Sequence, residues 1–212
     1  MPVLPKALNA AYIRQELSET RIPADPLAVD SSYIDRVMPA NLALKLTRNL
    51  RAAGVLIPII ERQESLSVLL TERSADLKHH AGQVSFPGGG MEEHDLDIAA
   101  TALRETHEEV GIHPTQVDIA GFLHPTPTIT GYAVTPVIGF VESAFEITVD
   151  PMEVDAAFEV PLDYLMDKRN EEHSEREYYG VNLPVVTFHF EGHRIWGATA
   201  GILIQLRKLL IK

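Results

Sequence analysis

The chain has no cysteine among its 212 residues, which excludes disulfides, thiolate nucleophiles and thiolate zinc sites and fits a reducing compartment. Any metal bound here must be held by oxygen or imidazole. Long apolar runs are also missing. The longest stretches, at Gly54 to Ile60 and Gly197 to Leu203, fall well short of the roughly 20 residues needed to cross a bilayer. The first ten residues, MPVLPKALNA, show neither an apolar core nor a small-residue cleavage pattern, so no signal peptide is read. A cytoplasmic protein with no membrane partner is expected. Positive charge is scarce as well, with 18 Lys and Arg against 30 Asp and Glu and a formal net charge of -12. That balance repels a phosphate backbone and argues against nucleic-acid binding. A small anionic substrate remains open if a cation bridges it to the protein. No internal repeat or low-complexity linker appears.

What is present is an ordinary globular composition, 45% hydrophobic and 23% charged, in a length that one core can serve. From about Asn9 to Leu50 the spacing mixes short helices with breakers at Pro23, Pro26 and Pro39. Residues 1–50 are therefore expected to form an N-terminal helical extension packed on a main domain over 51–212. Aliphatic runs at Ala53 to Ile60 and Ser65 to Thr71 predict two neighbouring strands. An extended stretch at Gln83 to Phe86 ends in Pro87 and the turn formers Gly88, Gly89 and Gly90, and a helix is expected from Leu96 to Val110. Further strands are expected at Val117 to Leu123, Val134 to Val141, Ala156 to Val160 and Val185 to Phe190, with a terminal helix from Thr199 to Leu210. This order reads as α+β, or an αβα sandwich around a mixed β-sheet.

On a helical wheel, Leu96, Ala99, Ala100, Leu103, His107 and Val110 share one stripe, expected to face the core. Glu105, Glu108 and Glu109 fall on the opposite side, with Glu105 and Glu109 stacked one turn apart. Like charges at that spacing destabilise a bare helix unless a cation sits over them. An all-oxygen carboxylate set suits Mg²⁺ or Mn²⁺, with substrate phosphates completing the coordination. Arg104 can reach Glu108 one turn on. Taken alone, the acidic run reads as a solvated helix face, and the glycine triplet as a plain turn. Side by side, they describe a metal site in which a carbonyl from Gly88 to Gly90 joins the carboxylates.

The segment RETHEEVGI, Arg104 to Ile112, resembles the closing half of the Nudix box, Arg-Glu-U-x-Glu-Glu-x-Gly-U with U aliphatic. Thr106 stands at one aliphatic position, a departure expected to concern packing. Gly89 and Asp95 keep the five-residue gap that opens the box. However, the acid is Asp rather than Glu and lies one residue farther from Arg104 than the general pattern has it. That variant is similar to the coenzyme A pyrophosphatase branch, as is LLTERSADLKHHAGQVSFPGG from Leu69 to Gly89, although Lys78 replaces an arginine and loses its planar fork. VTPVIGF at Val134 to Phe140 and IWGATA at Ile195 to Ala200 also look like segments of this branch.

The resemblance implies a Nudix-type αβα fold and an Mg²⁺- or Mn²⁺-dependent pyrophosphohydrolase. Its metal ligands would be Glu105, Glu108, Glu109 and the carbonyl of Gly89, with Arg104 orienting them. Glu153 is implied as an additional acid, ahead of Glu142 and Glu146. Arg73, Ser74, Lys78, Gly82 and Phe86 are implied in recognising coenzyme A. The expected chemistry is in-line attack of an activated water on one phosphorus of a diphosphate, with Glu109 or Glu153 taking the proton. The products would be 4′-phosphopantetheine and 3′,5′-adenosine bisphosphate.

Two alternatives stay open: another nucleoside diphosphate derivative, such as ADP-ribose or a dinucleotide, and a silent nucleotide-binding module. A homodimer is the general expectation for such a chain. His79, His80, His94, His107 and His113 show no metal-binding spacing, and His107 is expected to be a core residue. Trp196 is expected in the core, and neither Ser74 nor Ser85 sits in a nucleophile elbow.

Overall fold

The computed structural model describes residues 8–29, 43, 46–63, 65–77, 80–142, 145–178 and 180–211. Lys78 and His79 lie outside the described residues.

Strands β1 (Arg51–Arg62) and β2 (Ser65–Arg73) form an antiparallel hairpin in register from Ile59↔Val68 to Arg62↔Ser65. Both are dense in aliphatic side chains because each is covered on two faces, which removes the strict alternation of a half-exposed strand. After β3 (Val84–Ser85) the glycine triplet departs from expectation. Gly88–Gly90 is not a free turn but a short strand, β4, antiparallel to β1 at Ala53↔Gly90, Gly54↔Gly89 and Val55↔Gly88. Glycine is required here. A Cβ at Gly88, whose φ is +151°, would lie 2.4 Å from the Gly54 carbonyl oxygen, so a side chain would break the pairing.

Helix α2 (Ile98–Val110) starts two residues later than expected, because the Asp97 side chain caps it by accepting from the Ala100 N–H; Gly111, at φ 78°, ends it. Strands β5 (Val117–Phe122), β6 (Thr126–Pro127), β7 (Tyr132–Val141) and β8 (Val154–Pro161) complete the main sheet. Its order is β3-β2-β1-β7-β5, with β4 on β1, β6 on β7 and β8 on β2. The β1–β7 pair is parallel and the rest antiparallel, so the sheet is mixed.

After the short helix α3 (Leu162–Met166), β9 (Glu171–Tyr178), β10 (Val181–Phe190) and β11 (His193–Trp196) make a separate antiparallel sheet ordered β11-β10-β9. The chain ends on α4 (Gly197–Leu210). The α+β class and the αβα layering are as expected. On one face α2 packs through Ala99 and Ala102 on Leu56 and Val137. The other face carries the larger core, where Ile57, Ile138 and Phe140 meet Ile202, Leu203 and Leu206 of α4.

Helix α1 (Ala10–Leu17) belongs to that larger core through Ile13 and Leu17. Tyr12 Oη donates to the Leu210 carbonyl at 2.7 Å, and Thr20 Oγ1 accepts from the Phe122 N–H at 3.0 Å. Two core assignments are corrected. His107 is exposed, stacking edge-on with His113 at 5.3 Å. Trp196 is half-buried on the small sheet, with the guanidinium carbons of Arg176 and Arg194 4.4 and 4.9 Å from its ring.

Candidate active site

The wheel placed Ala99 and Val110 correctly on the buried face of α2 but missed the rest of that face. Leu96 is 94% exposed and precedes the helix, whereas Thr101, Ala102, Thr106 and Glu109 are buried. The covered arc is rotated toward the glutamates because two elements besides β1 cover the helix. Strand β4 lies over one side, and Gly54 lets β1 approach so closely that a Cβ there would be 2.5 Å from the Ile98 carbonyl oxygen. Thr106 tolerates complete burial because its hydroxyl donates to the Ala102 carbonyl at 2.6 Å.

Residues 148–153 cover the last turn. The N–H groups of Thr148 and Asp150 donate to the carbonyls of Val110 and Glu109, each at 3.0 Å, using acceptors that a helix end leaves free. This anchoring carries Glu153 to the helix. Glu105, Glu109 and Glu153 each offer a carboxylate oxygen within 4.8 Å of the others. The expected trio is thereby changed. Glu108 stands apart, 55% exposed, and accepts from Arg104 Nη1 at 2.9 Å, as its spacing from Arg104 suggested. Glu142 and Glu146 are exposed and outside the cluster.

Glu109 is 1% exposed. Its carboxylate accepts from the Gly88 N–H at 3.2 Å and meets Arg73 Nη1 at 3.4 Å. Burial pushes its pKa up to about 8 against the pull of Arg73 and Gly88, with Glu105 and Glu153 adding repulsion. The Glu105 pKa is also raised, first by burial, although Arg104 opposes the shift. Gly89 presses directly on Glu105, and a Cβ there would lie 2.5 Å from the carboxylate carbon.

Arg104 is held by a residue the sequence argument left without a role. Asp95 accepts from Arg104 Nε at 2.9 Å and Nη2 at 3.0 Å, and also from Thr101 Oγ1 and the Glu92 N–H. The hydrogen bonds from Arg104 hold its carboxyl well below the usual carboxylate range. Arg104 then spans Asp95, Glu105, Glu108 and the Gly90 carbonyl. The five-residue gap from Gly89 was the available signal for Asp95.

The residues implied in coenzyme A recognition divide. Arg73 reaches the acid cluster. The Ser74 side chain is buried, while its N–H donates to the Glu153 carbonyl at 2.8 Å. Gly82, exposed at φ +66°, donates its N–H to the Arg73 carbonyl at 3.0 Å. Phe86 is buried in the core, among apolar side chains. This signature, as far as it is described, positions Arg73 and Glu153.

A family model described as the NUDIX domain matches residues 50–182. The chain belongs to the Nudix hydrolase family. A relative described as an uncharacterized Nudix hydrolase NudL, from Escherichia coli O7:K1, is 41% identical over 160 residues, covering 76% of this chain and 83% of the relative. The protein of that description from Shigella boydii serotype 4 matches with equal identity and coverage.

Among solved structures, the NUDIX domain of Shewanella oneidensis NrtR complexed with ADP ribose aligns with a TM-score of 0.44 and 18% identity, over 65% of this chain and 86% of that one. A MutT/nudix family protein from Enterococcus faecalis aligns at 0.49 and 14%, over 95% and 74%. By its family membership the chain is an enzyme, a Nudix hydrolase acting on a nucleoside diphosphate derivative. Nudix hydrolases generally use divalent metal ions, and the cluster of Glu105, Glu109 and Glu153 is an all-oxygen donor set of the kind hard divalent cations take. Among the described residues no helix is long and apolar enough to cross a membrane.

Proposed function

We propose that this Nudix hydrolase cleaves the diphosphate of coenzyme A or its derivatives, giving 4′-phosphopantetheine, or its acyl form, and 3′,5′-adenosine bisphosphate. The observation that carries the reading is the contact of Arg73 with Glu109 at 3.4 Å. It joins the sequence signature similar to the coenzyme A branch to the acids of the Nudix box.

Glu105, Glu109 and Glu153 would hold Mg²⁺ or Mn²⁺. When bound, such an ion neutralises the diphosphate and activates a water for attack on phosphorus. The chain's own groups do the rest. Arg104, fixed by Asp95 and the Gly90 carbonyl, orients the Glu105 and Glu108 carboxylates. Gly88 and Gly89 bring backbone, with no side chain, against Glu109 and Glu105, leaving the approach to the acids open for a phosphate. Glu153 is exposed, and its carboxylate oxygen takes the proton of the attacking water, with Glu109 the other acceptor. Arg73 offers its guanidinium to a phosphate oxygen once Glu109 engages an ion.

The test is incubation of the purified chain with coenzyme A and Mg²⁺ or Mn²⁺, reading the products by mass, beside ADP-ribose and a dinucleoside polyphosphate. Appearance of 4′-phosphopantetheine and 3′,5′-adenosine bisphosphate supports the reading. Turnover of the other compounds with coenzyme A left intact removes it.

A further inference from the structure

Arg51 and Tyr132 face each other across the parallel pair of β1 and β7, in direct register, with the Arg51 guanidinium carbon 4.2 Å from the Tyr132 ring centroid. Two features set this pair apart from a surface contact. The first is its place. A Cβ on Gly90 would lie 3.8 Å from Tyr132 Cε1, and the Gly90 carbonyl accepts from Arg104 Nη2 at 3.2 Å. One glycine therefore separates the ring from the residue that orients the catalytic acids. The second is charge. Arg14, Arg62, Arg104 and Arg207 each pair with a carboxylate. Arg51 is exposed, and among the described residues it has no carboxylate partner, in a chain of net charge -12.

The position is also fixed in advance. The Arg51 N–H donates to the Gly131 carbonyl at 2.9 Å. The Tyr132 N–H donates to Thr128 Oγ1 at 3.1 Å, and the Tyr132 carbonyl accepts from the Thr128 N–H at 2.8 Å. A guanidinium whose carbon sits 4.2 Å from a ring centroid has its side away from the ring outward and cationic, and a guanidinium plane is a stacking surface for an aromatic base.

We propose that Arg51, backed by Tyr132, is the platform on which the base of the substrate's nucleoside stacks, and so a specificity-determining residue of this hydrolase. It rests on the reading that the acids beside Gly89 cleave a nucleoside diphosphate derivative. Stacking selects a substrate that carries an aromatic base over a diphosphate that lacks one, and it does so without touching the phosphorus.

The test compares binding of ADP and of inorganic pyrophosphate, with Mg²⁺ present, to the wild-type chain and to R51A, R51K, Y132F and Y132L. R51A, R51K and Y132L are expected to bind ADP about tenfold more weakly, the scale of one base on one side chain, with pyrophosphate affinity unaltered. Y132F keeps the ring and is expected to bind ADP like the wild type. With the substrate turned over, the loss appears as raised KM with little change in kcat. Unchanged ADP affinity in R51A, equal weakening of both probes, or full rescue by R51K overturns the platform, the last two because they mark a phosphate contact. Should Y132L misfold, R51A against R51K decides, since Arg51 is exposed. Failure of the wild type to cleave coenzyme A removes only the substrate proposed above, because the two probes are compared without turnover.

Discussion

Asp95 and Arg104 meet through two parallel hydrogen bonds, Nε to Oδ1 at 2.9 Å and Nη2 to Oδ2 at 3.0 Å. The aspartate side chain is 3% exposed and the arginine 18%. Such a bidentate pair fixes the plane of the guanidinium as well as its position, and Glu105 and Glu108 take their places on the remaining Nη1.

D95N should therefore cost about 1.5–3 kcal/mol of stability, the scale of a hydrogen bond to a charged group, and lower kcat by releasing Arg104. The pH dependence has a defined sign. Because the folded carboxyl titrates below its unfolded value, its stabilisation is complete above about pH 4 and drains away as pH falls further. Urea titrations from neutral pH to pH 3 should show the wild type losing stability faster than D95N. Parallel acid limbs would deny Asp95 this role.

E109Q removes a carboxyl that burial pushes up to about 8. The expected result is a folded protein with kcat reduced roughly a thousandfold. The wild type's melting temperature is expected to rise on adding Mn²⁺ and that of E109Q to stay unchanged. Wild-type turnover in E109Q would take that carboxylate out of the mechanism.

G89A places a methyl group 2.5 Å from the Glu105 carboxylate carbon. The side chain of Glu105 must swing away, so turnover should fall about a hundredfold while circular dichroism stays native. An active G89A would mean that Glu105 can act from another position.

T106V tests a departure from the family pattern. Thr106 is fully buried and its hydroxyl donates to the carbonyl of Ala102, one turn back. Valine matches its shape, so stability should stay within about 1 kcal/mol and kcat should be unaltered. A large loss of activity would mean that the hydroxyl has a part beyond packing.

Chelation should abolish hydrolysis, and Mg²⁺ or Mn²⁺ should restore it. Full activity in excess chelator would overturn the metal-dependent reading of Glu105, Glu109 and Glu153.

Much of this was legible in the residues. Strand and helix periods gave β1, β2, β7, α2 and α4 to within a few positions, because each carries an apolar pattern long enough to override neighbouring signals. Arg104, Glu105 and Glu109 were visible because one helical turn stacks them whatever surrounds the helix. Their burial was not visible. A helical wheel assumes one covered face, and α2 has β1 beneath it, β4 on one flank and residues 148–153 over its last turn. Glu153 and Asp95 were marked in the sequence only by resemblance and by the gap from Gly89, and their contacts, like the Arg51–Tyr132 pair, depended on tertiary structure. Glu153 lies 44 residues beyond Glu109 in the chain and is brought to it by hydrogen bonds from Thr148 and Asp150 to helix-end carbonyls and from the Ser74 N–H to its own carbonyl. Arg51 meets Tyr132 only because β1 and β7 pair in parallel. Local sequence sets which charges share a helix, since that follows from backbone geometry. Which of them are desolvated, and which distant acid or cation joins them, is decided by loops whose positions no local periodicity encodes.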